Sequence, residues 1–179
     1  MGYLELILGS MYSGKTSKLV KLYEQIIFCN NSVIVINHSS DNRYSETELE
    51  THDHKRVPCV FYNSIQEFLD SEDIDEYEYI LINEGQFFED IELVKGLVDS
   101  GKHIYICGLD GDFKRNKIGN LLDLIPYADN FYKLKSMCIK CRDGTKAVFS
   151  YRVSDEDRQV VIGSSNYIPL CRTCYDSMN

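Results

Sequence analysis

The chain has 179 residues, 44% of them hydrophobic, enough for one well-buried core with a small appendage and too few for two full domains. A net charge of −9 and a pI near 4.9 oppose a phosphate backbone, whose binding relies on clustered Lys and Arg, so nucleic acid is not an expected partner. The N-terminus does not resemble a signal peptide, no apolar run approaches a membrane span, and seven cysteines, four of them in C-x-x-C pairs, suit metal ligation in a reducing compartment; a soluble, cytoplasmic protein with no membrane partner is expected.

In chain order, Tyr3 to Leu8 reads as a short apolar strand, and Leu19, Leu22, Tyr23, Ile26 and Ile27 recur at helical spacing. Between them Gly9-Ser10-Met11-Tyr12-Ser13-Gly14-Lys15-Thr16 matches the phosphate-binding pattern G-x-x-x-x-G-K-[ST]. Gly9 and Gly14 let the backbone turn and approach an anion, so that successive N–H groups and the positive helix end point at phosphate oxygens. Lys15 would reach the β and γ phosphates, and the Thr16 hydroxyl would ligate Mg²⁺.

Ser32 to Asn37 is a continuous apolar run, as expected of a strand covered on both faces. The next twenty or so residues are polar, and composition alone fits a functional loop and a solvated one equally; His52-Asp53-His54 does not by itself make a metal site. Val57 to Phe61 returns to strand composition, Ser64 to Leu69 opens a short helix with a candidate cap, and the carboxylates from Asp70 to Glu78 read as a solvated turn. Tyr79 to Ile82 is a buried strand, Phe88, Ile91, Leu93, Val94, Leu97 and Val98 suggest a helix, and His103 to Gly108 another strand. This alternation predicts an α/β fold with a parallel sheet flanked by helices, its ligands bound beyond the carboxyl ends of the strands. The phosphate loop, Asn83-Glu84-Gly85 and Leu109-Asp110-Gly111 should therefore gather at one edge.

From about Lys133 the character changes, which predicts a nucleotide-binding core over 1–132 and a small zinc-ribbon subdomain over 133–179. Cys138/Cys141 and Cys171/Cys174 form two knuckles separated by 29 residues, with strand-like Ala147 to Val153 and Gln159 to Ile162 between them. Four thiolates in two close pairs suit tetrahedral Zn²⁺, and so short a segment lacks the core to fold without a staple; a redox pair or free thiols are the alternatives. Cys29, Cys59 and Cys107 lie within or beside predicted elements and are expected to be packed thiols.

Together these segments resemble the type II, zinc-containing thymidine kinases of animals, bacteria and large DNA viruses, nearly from end to end. Gly9 to Thr16 corresponds to the family loop G-P-M-F-S-G-K-[ST], with Ser10 and Tyr12 in place of Pro and Phe. Asp41-Asn42-Arg43-Tyr44 and Thr51-His52-Asp53 correspond to D-x-R-Y and T-H-D, Asn83 to Phe88 to D-E-G-Q-F-F, and Gly108 to Arg115 to the L-D-G-x-F-x-R stretch. The cysteine pairs match the zinc site, and Val161-Ile162-Gly163 with Tyr167 match the loop that closes over the base.

The resemblance implies transfer of the γ-phosphoryl of ATP to the 5′-hydroxyl of thymidine, with Mg²⁺ accompanying ATP, a structural Zn²⁺, a homotetramer, and a cytoplasmic location, the host's for a viral chain. It implies Glu84 as the base that accepts the hydroxyl proton. The ATP side would take Gly9 to Thr16 with Asp41, Arg43, Asn83 and Gln86. The nucleoside side would take Met11, Leu109, Phe113 packed on thymine, Gln159, Val160, Val161, Ile162, Gly163 and Tyr167. Asn83 stands where the family has Asp, which keeps one acceptor oxygen and loses a charge, so a raised Mg²⁺ requirement is expected. The rival readings are a kinase of this fold for another deoxynucleoside, a nucleotide binder without activity, and a zinc-ribbon nucleic-acid binder, the last opposed by the charge.

Overall fold

Residues 1–41, 47–51, 53–156, 158–161, 163 and 166–178 are described by the structure, a computed structural model. The chain runs through β1 (Tyr3–Gly9), α1 (Lys15–Phe28) and β2 (Val33–His38) into an antiparallel hairpin of β3 (Glu48–Glu50) and β4 (Arg56–Pro58). Next come β5 (Val60–Tyr62), α2 (Ile65–Ser71), β6 (Tyr79–Ile82), α3 (Val94–Asp99), β7 (His103–Gly108) and β8 (Asn130–Leu134). The main sheet has the order β5-β2-β6-β7-β1-β8, with every pairing parallel.

Strand periodicity divides the core between the two sheet faces. Leu4, Leu6 and Leu8 point to one face with Ile34, Ile36, Ile80, Ile82, Ile104 and Ile106, where α2, α3 and the 3₁₀ helix Leu121–Tyr127 cover them. Ile7, Val35, Leu81 and Cys107 point to the other, under α1 and the β3–β4 hairpin. Full burial of each Leu or Ile contributes about 1.5–3 kcal/mol, which is why these runs are apolar on both sides. Since all six strands run the same way, the residues after β1, β2, β6 and β7 meet at one edge.

Four sequence expectations change in three dimensions. Val57 to Phe61 is two strands in two sheets, because Pro58 offers no N–H to continue a ladder and the chain turns there. The helix expected from Phe88 starts only at Val94; Phe88 and Ile91 are apolar because they plug the core, while the Asp90 carboxylate accepts from the Ile65 and Gln66 N–H groups at the start of α2. No strand forms over 159–161, where side chains take the backbone groups, and Ile162 lies outside the described residues. Cys29 ends α1 exposed rather than packed, whereas Cys59 and Cys107 are buried.

After β8 the chain forms β9 (Ser136–Met137), β10 (Lys146–Ala147), β11 (Phe149–Arg152), β12 (Tyr167–Leu170) and the short α4 (Arg172–Asp176). They pair as two small antiparallel ribbons around Cys138, Ala147, Leu170, Cys171 and Tyr175. The expected boundary at 132/133 falls inside β8, which is hydrogen-bonded to β1 from Asn130 to Leu134.

Candidate active site

The loop after β1 is shaped as an anion cradle. Gly14 has φ +84, a left-handed conformation that glycine adopts without strain, and it leads directly into α1, whose first turn carries no acidic residue. A Cβ on Gly9 would lie 2.6 Å from the Leu134 carbonyl oxygen and 2.7 Å from Ser13 Oγ, so only glycine fits where the loop passes β8. Lys15 is buried and its Nζ donates to the Ser10 carbonyl at 2.9 Å. Ser10 Oγ and Ser13 Oγ are buried without a hydrogen-bond partner among the described residues.

Beyond β6, Glu84 adopts φ +52, ψ +41, a left-handed geometry that costs a non-glycine residue about 1–3 kcal/mol. Gln86 Nε2 donates to Glu84 Oε2 at 2.6 Å, and Gln86 Oε1 accepts from the Leu109 N–H at 2.9 Å, which ties the turn after β6 to that after β7. Gln86 has room because position 108 is glycine, where a Cβ would come within 2.5 Å of Gln86 Oε1. Asn83 points elsewhere: its Nδ2 donates to Asn37 Oδ1 at 3.0 Å and its Oδ1 accepts from Cys107 Sγ at 2.9 Å. Asn37 in turn donates to Asp41 Oδ2 at 3.2 Å. Burial pushes the Cys107 thiol up to about 12, so it stays protonated and donates.

The far wall comes from the segment after β10. Ser150 of β11 accepts the Met11 N–H at 2.9 Å, which joins the phosphate loop to this segment. Arg152, two residues on and buried, places its guanidinium 3.8 Å from the Phe113 ring centre and bonds the Tyr167 hydroxyl. The Tyr167 hydroxyl also accepts from the Val161 N–H at 3.1 Å, and Gln159 Nε2 donates to Asp112 Oδ2 at 3.0 Å.

These parts enclose one cleft of about 1060 Å³, open solvent at its mouth included. Of the residues singled out from sequence it is lined by Met11, Tyr12, Ser13, Gly14, Lys15 and Thr16, then Asp41, Glu84, Leu109 and Phe113, then Gln159, Val160, Val161, Gly163 and Tyr167. Gly9, Ser10, Asn83 and Gln86 do not line it, and the Asn83 amide is engaged by Asn37 and Cys107. Arg43 and Ile162 lie outside the described residues, as do Asn42, Tyr44 and His52. Sequence reasoning gave no site role to Ser150 and Glu50, or to Thr51 and Asp112 within their motifs, all of which line it, nor to Arg152, which stacks on Phe113. The alternation Phe149-Ser150-Tyr151-Arg152 held the signal, since it buries its polar members and leaves its aromatics half-buried, the reverse of an ordinary surface strand.

Away from the cleft, the sulfurs of Cys138, Cys141, Cys171 and Cys174 lie within 4.8 Å of one another. Cys141 Sγ is 3.8 Å from Cys171 Sγ and 3.5 Å from Cys174 Sγ. A ZnS₄ tetrahedron with Zn–S of about 2.3 Å has edges of about 3.8 Å, so the four thiols fit this ion.

Comparison with known proteins agrees with this arrangement. The chain is 39% identical over 180 residues to the thymidine kinase of Yaba monkey tumor virus (strain VR587), covering 99% of this chain and 97% of the relative. It is 37% identical to a thymidine kinase of Bacteroides thetaiotaomicron, covering 97% and 87%, and 34% identical to thymidine kinase 1 of Dictyostelium discoideum, covering 98% and 78%. The family model described as thymidine kinase matches residues 2–175, and the chain therefore belongs to the thymidine kinase family.

Proposed function

We propose that the chain transfers the γ-phosphoryl of ATP to the 5′-hydroxyl of thymidine. The observation that carries this reading is that one cleft brings together the phosphate loop, a carboxylate at a strand end, and an aromatic wall of Phe113 and Tyr167. Phosphoryl transfer needs charge neutralisation and alignment more than covalent help from the protein. In this reading the N–H groups of Met11 to Thr16 and the Lys15 ammonium hold the phosphates of ATP, and Asp41 and Arg43 belong to the same side. Thr16 would hold Mg²⁺, which supplies charge neutralisation on the phosphates. In this reading the base lies between Phe113 and the backbone of Gln159, Val160, Val161 and Gly163, and Tyr167 supports that backbone through its bond to the Val161 N–H.

Glu84, held by Gln86, accepts the proton of the 5′-hydroxyl as the oxygen attacks. Cys138, Cys141, Cys171 and Cys174 would hold a structural Zn²⁺, which would fasten the segment that carries the base wall and take no part in the chemistry. The division into a 1–132 core and a 133–179 zinc-binding part, the cytoplasmic location and the homotetramer belong to the same proposal, with light scattering as the check on the last. No helix among the described residues is long and apolar enough to cross a membrane.

The test is turnover with ATP and Mg²⁺ against a panel of deoxynucleosides. Thymidine should give the highest kcat/KM; another nucleoside ahead of it, or no transfer at all, overturns the proposal.

A further inference from the structure

Among the described residues Arg152 is a buried cation with no carboxylate within ion-pair distance. Among the described residues its charge is met by carbonyl oxygens, the Tyr167 hydroxyl and ring faces. Nη1 donates to the Glu156 carbonyl at 2.9 Å and to that of Arg158, and Nη2 donates to the Gln159 carbonyl at 2.9 Å and to the Tyr167 hydroxyl. The plane stands 3.8 Å from the Phe113 ring centre and 5.0 Å from that of Tyr167. Phe113 lines the cleft and Arg152 does not, while the guanidinium lies over the Phe113 ring.

Burying an arginine costs several kcal/mol of hydration, and an apolar side chain would plug this position with no such penalty. What an apolar residue cannot do is hold three carbonyls, a phenol and an aromatic ring at once, which the planar guanidinium does through Nη1, Nη2 and its face. Phe113, Tyr167 and Gln159 belong to the wall that the proposed function assigns to the base, and the Glu156 and Arg158 carbonyls precede it in the chain. Gln159 presents its carbonyl to Arg152 while its side chain reaches Asp112, which is next to Phe113, so the ring and the backbone facing it are tied at two points.

We infer that Arg152 is the positioning residue of the nucleoside site, fixing the Phe113 ring and the carbonyls of Glu156, Arg158 and Gln159 relative to each other, so that it governs binding of the base and not of ATP. This rests on the reading of Phe113 and residues 159–163 as the base wall. The geometry separates the two substrates, since the phosphate loop is joined to β11 through Ser150 and, among the described residues, makes no bond to Arg152.

The experiment is steady-state kinetics of the full chain with thymidine and ATP varied separately, for Arg152→Met, Arg152→Lys and Phe113→Ala. Methionine keeps a stem of similar reach and loses every donor; lysine keeps the charge and cannot span the carbonyls. Arg152→Met should raise the KM for thymidine on the order of tenfold or more, with the KM for ATP within about twofold of the parent. Arg152→Lys should remain raised at least about threefold, because charge alone does not restore the fork.

An unchanged thymidine KM in Arg152→Met beside a raised one in Phe113→Ala overturns the inference and leaves the base wall standing. An unchanged thymidine KM in Phe113→Ala overturns the base wall itself. Equal rises in both KM values, or failure of both Arg152 variants to fold, show a general staple of the core and overturn the positioning role. Where only Arg152→Met fails to fold, Arg152→Lys decides by the same split.

Discussion

Replacing Asn83 by Asp restores the residue of the family motif and, on the present structure, should destabilise the protein without helping the metal. Asn83 is 1% exposed and its Nδ2 lies 3.0 Å from Asn37 Oδ1, so Asp would set oxygen against oxygen. Asn37 cannot relieve this by turning its amide, because its Oδ1 also accepts the His38 N–H at 3.0 Å and its Nδ2 donates to Asp41 Oδ2 at 3.2 Å. The introduced carboxyl can donate to Asn37 when protonated and cannot when ionised, so the folded state binds this proton more tightly than the unfolded chain does. A carboxyl raised by about two pK units in the folded state costs about 2.7 kcal/mol once pH is well above the folded value, and little below the unfolded value of about 3.9. At about 2–4 °C per kcal/mol for a chain of this size, Asn83→Asp should melt about 5–11 °C lower than the parent at pH 8, and the gap should shrink as pH falls toward 5. The assay is thermal unfolding by circular dichroism at both pH values, beside a Mg²⁺ titration of turnover at pH 8, where the midpoint should stay within about twofold. An unshifted melting temperature with a Mg²⁺ midpoint lowered severalfold would refute the reasoning and return position 83 to the metal.

The remaining expectations concern the cleft and the thiols. Glu84→Gln should leave ATP binding nearly intact and lower kcat about a hundredfold or more, whereas Lys15→Ala should impair ATP binding and turnover together; near-parental turnover in Glu84→Gln removes Glu84 as the base. In zinc-loaded protein at neutral pH a maleimide should label Cys29 rapidly and spare Cys59 and Cys107, since Cys29 is exposed while burial pushes the other two thiols up to about 12. Chelation should then open Cys138, Cys141, Cys171 and Cys174 to the reagent and weaken thymidine binding while ATP still protects the phosphate loop; the same labelling pattern before and after chelation would argue against a zinc site.

Much of the architecture was legible in the chain because its determinants are contiguous. A strand buried on both faces must be an apolar run, so Tyr3 to Leu8, Ser32 to Asn37, Tyr79 to Ile82 and His103 to Gly108 announced themselves, and their alternation with helices implied the parallel sheet. The phosphate loop and the cysteine knuckles were equally readable, since an anion cradle and a metal tetrahedron demand fixed residue types at fixed short spacing. β8 escaped notice because an edge strand is covered less: Phe131 and Tyr132 stay exposed, and its place beside β1 is a matter of chain return.

The side-chain network around the cleft was also beyond sequence reasoning. Asn37 meets Asn83 across 46 positions, Met11 meets Ser150 across 139, and Arg152 reaches Phe113 from another part of the chain. A polar residue in a strand gives no sign of whether it faces water or a partner brought alongside by folding. Sequence therefore picked out the phosphate-loop and cysteine motifs, and only the tertiary structure decided that the Asn83 amide bonds Asn37 and Cys107 and that a buried arginine stacks on Phe113. The physical reason is that backbone cradles and ligand pairs are local in the chain, whereas hydrogen bonds between distant side chains come into being only when the sheet has set its strands in order.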